Sequence, residues 1–111
     1  MEGNIINIGS MSADSRGGKS SGYVATKSGI QGFTEALRKE LNPHNVSVSL
    51  IEPGAVGTDM QKATPEDQRE LEEKMEMLKA EDIASVIYFI LQQDRRSSIV
   101  ELKIKPLRQL T

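Results

Sequence analysis

Apolar residues along the chain follow two rhythms: short dense runs, and longer stripes spaced three and four apart. NIINIGSM, Asn4 to Met11, is a short isoleucine-rich run, and VSVSLIEPG, Val46 to Gly54, is a β-branched run closed by Pro-Gly. Runs of this length suit buried parallel strands better than helices. SIVELKI, Ser98 to Ile104, alternates in part and predicts a third strand, which Pro106 ends. Between the first two runs the period changes. Ser12 to Ser21 is polar and glycine-rich, a loop, and from Gly22 onward Ile30, Phe33, Leu37 and Leu41 recur at helical spacing until Pro43 stops the pattern.

Two more helices are predicted after the second strand. Thr64-Pro65-Glu66-Asp67 reads as a helix start, with Thr64 as N-cap and Pro65 in the first turn. The segment from there to Lys79 is highly charged, and Leu71, Met75 and Leu78 form its regular apolar stripe, which suits a surface helix or a lid. Ala80 to Gln92 carries Ile83, Val86, Ile87, Ile90 and Leu91 on one face, so it should pack against a sheet. The residues after Pro106 read as a disordered or loosely docked tail. Strands separated by helices imply parallel pairing, hence part of an α/β layered sheet. In such sheets ligands sit beyond the carboxyl ends of the strands, where this chain places Gly9-Ser10 and Pro53-Gly54.

Composition narrows the partners. The chain has 111 residues, enough for one small domain with a modest core. Its 14 basic and 16 acidic residues leave a net charge of -2, so charge gives no reason to expect a nucleic acid or an anionic membrane as partner. The absence of cysteine excludes disulfides and thiolate sites and suits a reducing compartment. Met1-Glu2-Gly3-Asn4 lacks the basic region and apolar run of a signal peptide, and the apolar runs are too short to span a bilayer. A soluble, cytoplasmic location is the expectation, and no metal site is suggested. His44, the one histidine, lies in the turn Asn42-Pro43-His44-Asn45 and reads as structural or exposed.

The stretch RGGKSSGYVATKSG, Arg16 to Gly29, holds two candidate signatures. A phosphate-binding loop on Gly18-Lys19-Ser20 needs its first glycine at position 13, which is Ala13, and the preceding strand ends too far upstream. The second signature is Tyr23 and Lys27, which share one helix face at i and i+4. Alone they would be an ordinary surface pair. Ser10 at the preceding strand end, the small residues Gly22, Ala25, Thr26, Ser28 and Gly29, and PGAVGT leaving the neighbouring strand end together favour a site. The chemistry is coherent. A free tyrosine has a pKa of roughly 10, too high for a good base at neutral pH, and a nearby ammonium favours the phenolate. Tyr23 can then take a proton from an alcohol, or give one to a carbonyl in reverse.

NIINIGS with Ser10, YVATKSG with Tyr23 and Lys27, VSLIEPG, and PGAVGT with Thr58 stand in an order and spacing that resemble the short-chain dehydrogenase/reductase family, from about Gly3 to Pro106. The resemblance implies the C-terminal part of a Rossmann-like three-layer parallel sheet, about three strands with crossover helices. It implies an oxidoreductase that transfers a hydride between NAD(P)(H) and a secondary alcohol or carbonyl. Ser10, Tyr23 and Lys27 would be catalytic, with Ser10 holding the substrate oxygen in an oxyanion-type role. Tyr23, Lys27, Pro53, Gly54, the Val56 backbone and the Thr58 side chain would bind the cofactor, Lys27 through the nicotinamide ribose. Residues 61–79 would be the substrate lid. Relatives of this kind pair as dimers or tetramers through the helix that starts at Gly22. The close VELKIKP resembles the NADP-dependent branch, so NADP is favoured over NAD.

The family's Gly-x-x-x-Gly-x-Gly turn, its Asn-Asn-Ala-Gly segment and its catalytic asparagine are not in this chain. All are expected upstream of Met1, which makes residues 1–111 a single partial domain, inactive alone, with an exposed apolar edge at Ile5 to Ile8. The alternative is a non-catalytic fragment that acts only as an interaction or oligomerisation module through its small-residue helix.

Overall fold

The computed structural model describes residues 2–11, 18, 21–56 and 64–108. Six elements follow the expected order: β1 (Gly3–Ile8), α1 (Ser21–Leu41), β2 (Val46–Pro53), α2 (Pro65–Glu73), α3 (Ala80–Leu91) and β3 (Glu101–Ile104). The three strands form one parallel sheet in the order β1-β2-β3. β2 is central and almost wholly buried, including the polar Ser49 and Glu52. Val46, Val48, Leu50 and Ile51 from this strand form the core with Met77, Leu78 and Ile90.

Local chemistry sets the element ends. Asn42–His44 makes a single 3-10 turn around Pro43, and Asn45 at φ 64° takes the left-handed conformation that reverses the chain into β2. Thr64 caps α2 as predicted, its hydroxyl accepting the Asp67 amide at 3.2 Å behind Pro65. The Asp82 carboxylate accepts the Lys79 amide at 2.8 Å and closes the start of α3. β3 is shorter than the predicted Ser98–Ile104. Ser47 and Ser98 share a 2.6 Å hydroxyl hydrogen bond, and Ser49 donates to the Ile99 carbonyl at 2.6 Å, so this stretch lies along β2 through side chains before the backbone ladder begins.

Three apolar expectations change. α2 ends at Glu73, and Met75 turns left-handed at φ 64° and is exposed, so it leaves the predicted stripe. Met77 takes its place in the core, beside Leu78, whose amide bonds to the Ala55 carbonyl at 2.8 Å. Leu91 is exposed, because Ile90 takes the inward position at the end of α3. Phe33 is 63% exposed while its neighbour Thr34 is 1% exposed, so α1 turns Thr34, not Phe33, to the sheet. The tail is docked as far as Arg108: Pro106 is buried and the Arg108 amide donates to the Met75 carbonyl at 2.9 Å. No helix among the described residues is long and apolar enough to cross a membrane.

Candidate active site

Two polar contacts fix how α1 lies on the sheet. The Asn7 side-chain amide donates to the Thr34 hydroxyl at 2.9 Å, and the Gln31 amide donates to a Glu52 carboxyl oxygen at 2.7 Å. In the sheet Asn7 is level with Leu50, and the bond from the Gly9 amide to the Ile51 carbonyl at 2.7 Å continues that register upward. The more N-terminal helix residue, Gln31, therefore meets the higher strand level, and α1 runs antiparallel to the strands. At about 1.5 Å per residue, Lys27 lies ~6 Å and Tyr23 ~12 Å further along the helix axis than Gln31. At ~3.3 Å per strand residue, Lys27 stands near the level of Gly54, with Tyr23 above it. The Tyr-Lys pair thus overhangs the carboxyl edge of the sheet, where ligands of layered α/β folds sit.

The other predicted residues that the structure describes, Ser10, Pro53, Gly54 and Val56, lie at or beside that edge. The Met11 amide donates to the Pro53 carbonyl at 3.0 Å, so the chain carrying Ser10 is pinned along the end of β2. The Gly54 amide donates to the Ile104 carbonyl at 2.8 Å, tying the strand end to β3 as well. Val56 forms a parallel bridge with Leu78 and links the segment leaving β2 to the stretch after α2. Thr58 and residues 61–63 of the expected lid lie outside the described residues, as do Lys19 and Ser20 of the rejected phosphate loop.

Tyr23 and Lys27 are in direct contact. The Lys27 Nζ stands 5.5 Å from the centroid of the Tyr23 ring, within the range of a cation–π attraction. Tyr23 is 47% exposed, so its phenol is open to a bound molecule. The first turns of α1 also carry small residues, and a β-carbon added at Gly22 or Gly29 would meet nothing within 4 Å. The Thr26 hydroxyl turns back onto the Gly22 carbonyl at 3.0 Å and leaves the Tyr-Lys face clear. The arrangement presents one phenol and one ammonium as hydrogen-bonding groups over a strand edge.

Sequence reasoning passed over Asn7, Gln31, Thr34 and Glu52, which hold this arrangement in place. The signal was a glutamate inside a β-branched run, together with a glutamine one turn beyond Lys27 and two beyond Tyr23 on the same helix face. No group of histidine, cysteine, aspartate or glutamate suited to a metal ion occurs among the described residues.

Residues 1–69 match the family model described as short chain dehydrogenase. The 3-oxoacyl-[acyl-carrier-protein] reductase FabG of Pseudomonas aeruginosa is 38% identical over 92 residues, covering 79% of this chain and 37% of that protein. An oxidoreductase of Staphylococcus epidermidis is 34% identical over 104 residues, covering 94% of this chain and 43% of its own. Among solved structures, acetoin dehydrogenase YohF from Salmonella typhimurium superposes with a TM-score of 0.74 at 25% identity, covering 95% of this chain and 44% of that one. A closed form of serine dehydrogenase complexed with NADP+ gives 0.72 at 26% identity, covering 90% and 42%. The chain thus spans about two fifths of the length of these curated relatives.

Proposed function

The chain belongs to the short-chain dehydrogenase family, and from that membership we propose that it carries the acid–base part of an NAD(P)-dependent oxidoreductase acting on a secondary alcohol or the matching carbonyl. The observation that carries this reading is the Tyr23–Lys27 pair overhanging the carboxyl edge, beside the Ser10 segment pinned to the end of β2. The names of the relatives point the same way: a 3-oxoacyl reductase, an acetoin dehydrogenase and a serine dehydrogenase all take oxo or hydroxy compounds.

Each residue has a task. Tyr23 holds the proton that moves to or from the substrate oxygen. Lys27, with its ammonium beside the ring, supplies N–H donors to a ribose diol. Ser10 donates to the substrate oxygen and stabilises negative charge growing there. Pro53 and Gly54 end β2 so that backbone, not side chain, faces the nicotinamide, and Val56 and Thr58 supply its carboxamide partners. The cofactor, when bound, supplies the hydride. NADP is favoured over NAD by the VELKIKP close, and the serine dehydrogenase neighbour was solved with NADP+. The segment 61–79, with α2 at its centre, serves as lid over the substrate. Exposed Phe33 on α1 suits pairing of two copies.

Replacing Tyr23 by Phe in the native protein tests the reading. Turnover should fall at least ~100-fold, the range for loss of a general acid–base group, while NADPH binding followed by cofactor fluorescence changes little. Turnover retained within a few-fold removes Tyr23 from the chemistry.

A further inference from the structure

Helix α1 meets the sheet along a polar seam. Glu52 is 0% exposed near the carboxyl end of the central strand, one residue before Pro53, and Thr34 is 1% exposed opposite Asn7. Burying a carboxyl group is unfavourable unless a donor meets it, and here the Gln31 amide does so at 2.7 Å. Apolar contacts are non-directional and would let a helix slide or roll by a fraction of a turn. A directional bond at each of two levels, Gln31 to Glu52 and Asn7 to Thr34, removes both freedoms. Gly9 leaves room for this device, since a β-carbon there would come within 3.4 Å of the Glu52 Cγ.

Gln31 is also one turn from Lys27 and two from Tyr23 on the same face, so a shift at Gln31 is passed along the rigid helix to both. We propose that Gln31 and Glu52 are positioning residues, whose hydrogen bond sets how far Tyr23 and Lys27 project past the end of β2. The inference rests on Tyr23 as the proton-handling group. Neither residue touches the reacting atoms; they act through the helix that carries them. Misplacement of a catalytic group by ~1 Å can lower a rate by ~100-fold, so a small slip at this seam is enough to matter.

The test uses three variants of the native protein: Gln31→Met, which strips the donor at nearly constant volume; Gln31→Glu, which opposes two carboxyl groups; and the exchange Gln31→Glu with Glu52→Gln, which restores one amide and one carboxyl in reversed positions. One readout needs no turnover. The chain has two tyrosines, so in a Tyr88→Phe background the tyrosine ring resonances in an NMR spectrum report Tyr23 alone. Gln31→Met and Gln31→Glu should both shift the Tyr23 ring resonances, because the ring moves relative to the Lys27 ammonium, and the exchange should return them. With acetoin and NADPH as probes, kcat should fall about tenfold or more in the single variants, with the NADPH dissociation constant within about threefold, and should recover in the exchange. If Gln31→Glu fails to fold, Gln31→Met decides the matter by the same readouts. A folded Gln31→Met that leaves both the Tyr23 ring resonances and kcat unchanged overturns the positioning role. So does an exchange variant that folds but recovers neither. The Tyr23→Phe arm separates the two ideas: if it keeps its turnover, the acid–base reading falls and takes this inference with it. If it loses turnover while the Gln31 variants do not, only the positioning role fails.

Discussion

Gly9 stands immediately before Ser10, and replacing it by alanine probes how tightly the site end of the sheet is packed. Its amide already bonds to the Ile51 carbonyl at 2.7 Å, and no described glycine has a positive φ, so alanine meets no backbone obstacle. The added methyl would lie 3.2 Å from the Leu50 Cδ1, 3.4 Å from the Glu52 Cγ and 3.8 Å from the Ile51 carbonyl oxygen. Two effects oppose one another. Overfilling a packed core typically costs ~1–3 kcal/mol, whereas glycine to alanine stabilises by ~0.4–1 kcal/mol by restricting the unfolded chain. The tightest neighbour is the tip of a leucine, which can give, so the lower part of the crowding range, ~1–1.5 kcal/mol, applies and the net loss should be ~0.5 kcal/mol. Urea unfolding followed by far-UV circular dichroism measures it. Adding Leu50→Val removes the Cδ1 atom, and the pair should then couple favourably by ~0.5 kcal/mol or more. A Gly9→Ala variant more stable than the parent, or additive with Leu50→Val, would refute the packing argument.

Other outcomes follow from single contacts. Thr34→Val keeps the shape but leaves the half-buried Asn7 amide without its acceptor, and should destabilise by ~1–3 kcal/mol in the same unfolding assay, with most of the loss returned by Asn7→Leu in the same chain. Lys74 titrates above the usual 10.5, first because Glu70 accepts its hydrogen bond at 2.8 Å and then through the charge of that carboxylate. A cationic group with a raised folded pKa contributes its stabilisation fully below 10.5 and loses it as pH rises through the raised value. An NMR titration of the lysine side chains should show Lys74 returning toward the ordinary value in Glu70→Gln.

β2 was legible as a β-branched run closed by Pro53-Gly54, and β1 as a short isoleucine-rich run too brief for a helix. The Thr64 cap and the Pro43 stop were legible because they are local. Tyr23 and Lys27 gained meaning from their spacing, and their contact depends on helix geometry alone. What periodicity missed was the rotation of α1. Its apolar stripe pointed to Phe33, but the sheet presents Asn7 and Glu52, and these select Thr34 and Gln31. A hydrogen bond between residues twenty or more positions apart leaves no periodic trace, so the seam appears only once register is known. Met77 escaped for a related reason: the left-handed turn at Met75 resets the helical phase, and that turn has no glycine to announce it.

The strand order bears on how such a sheet comes together. Each pairing joins residues about forty to fifty positions apart, Gly3 with Val46 and Leu50 with Glu101, and encloses at least one whole helix. Closing a loop of that length costs ~3 kcal/mol of chain entropy before any ladder bond forms, so folding should be slow beside that of a helical bundle of the same size. β1, α1 and β2 close the shorter loop, and the Asn7 and Glu52 contacts to α1 lie inside it. The seam that orders the candidate site would then belong to the folding nucleus, and variants at Gln31 or Thr34 should slow refolding more than they speed unfolding.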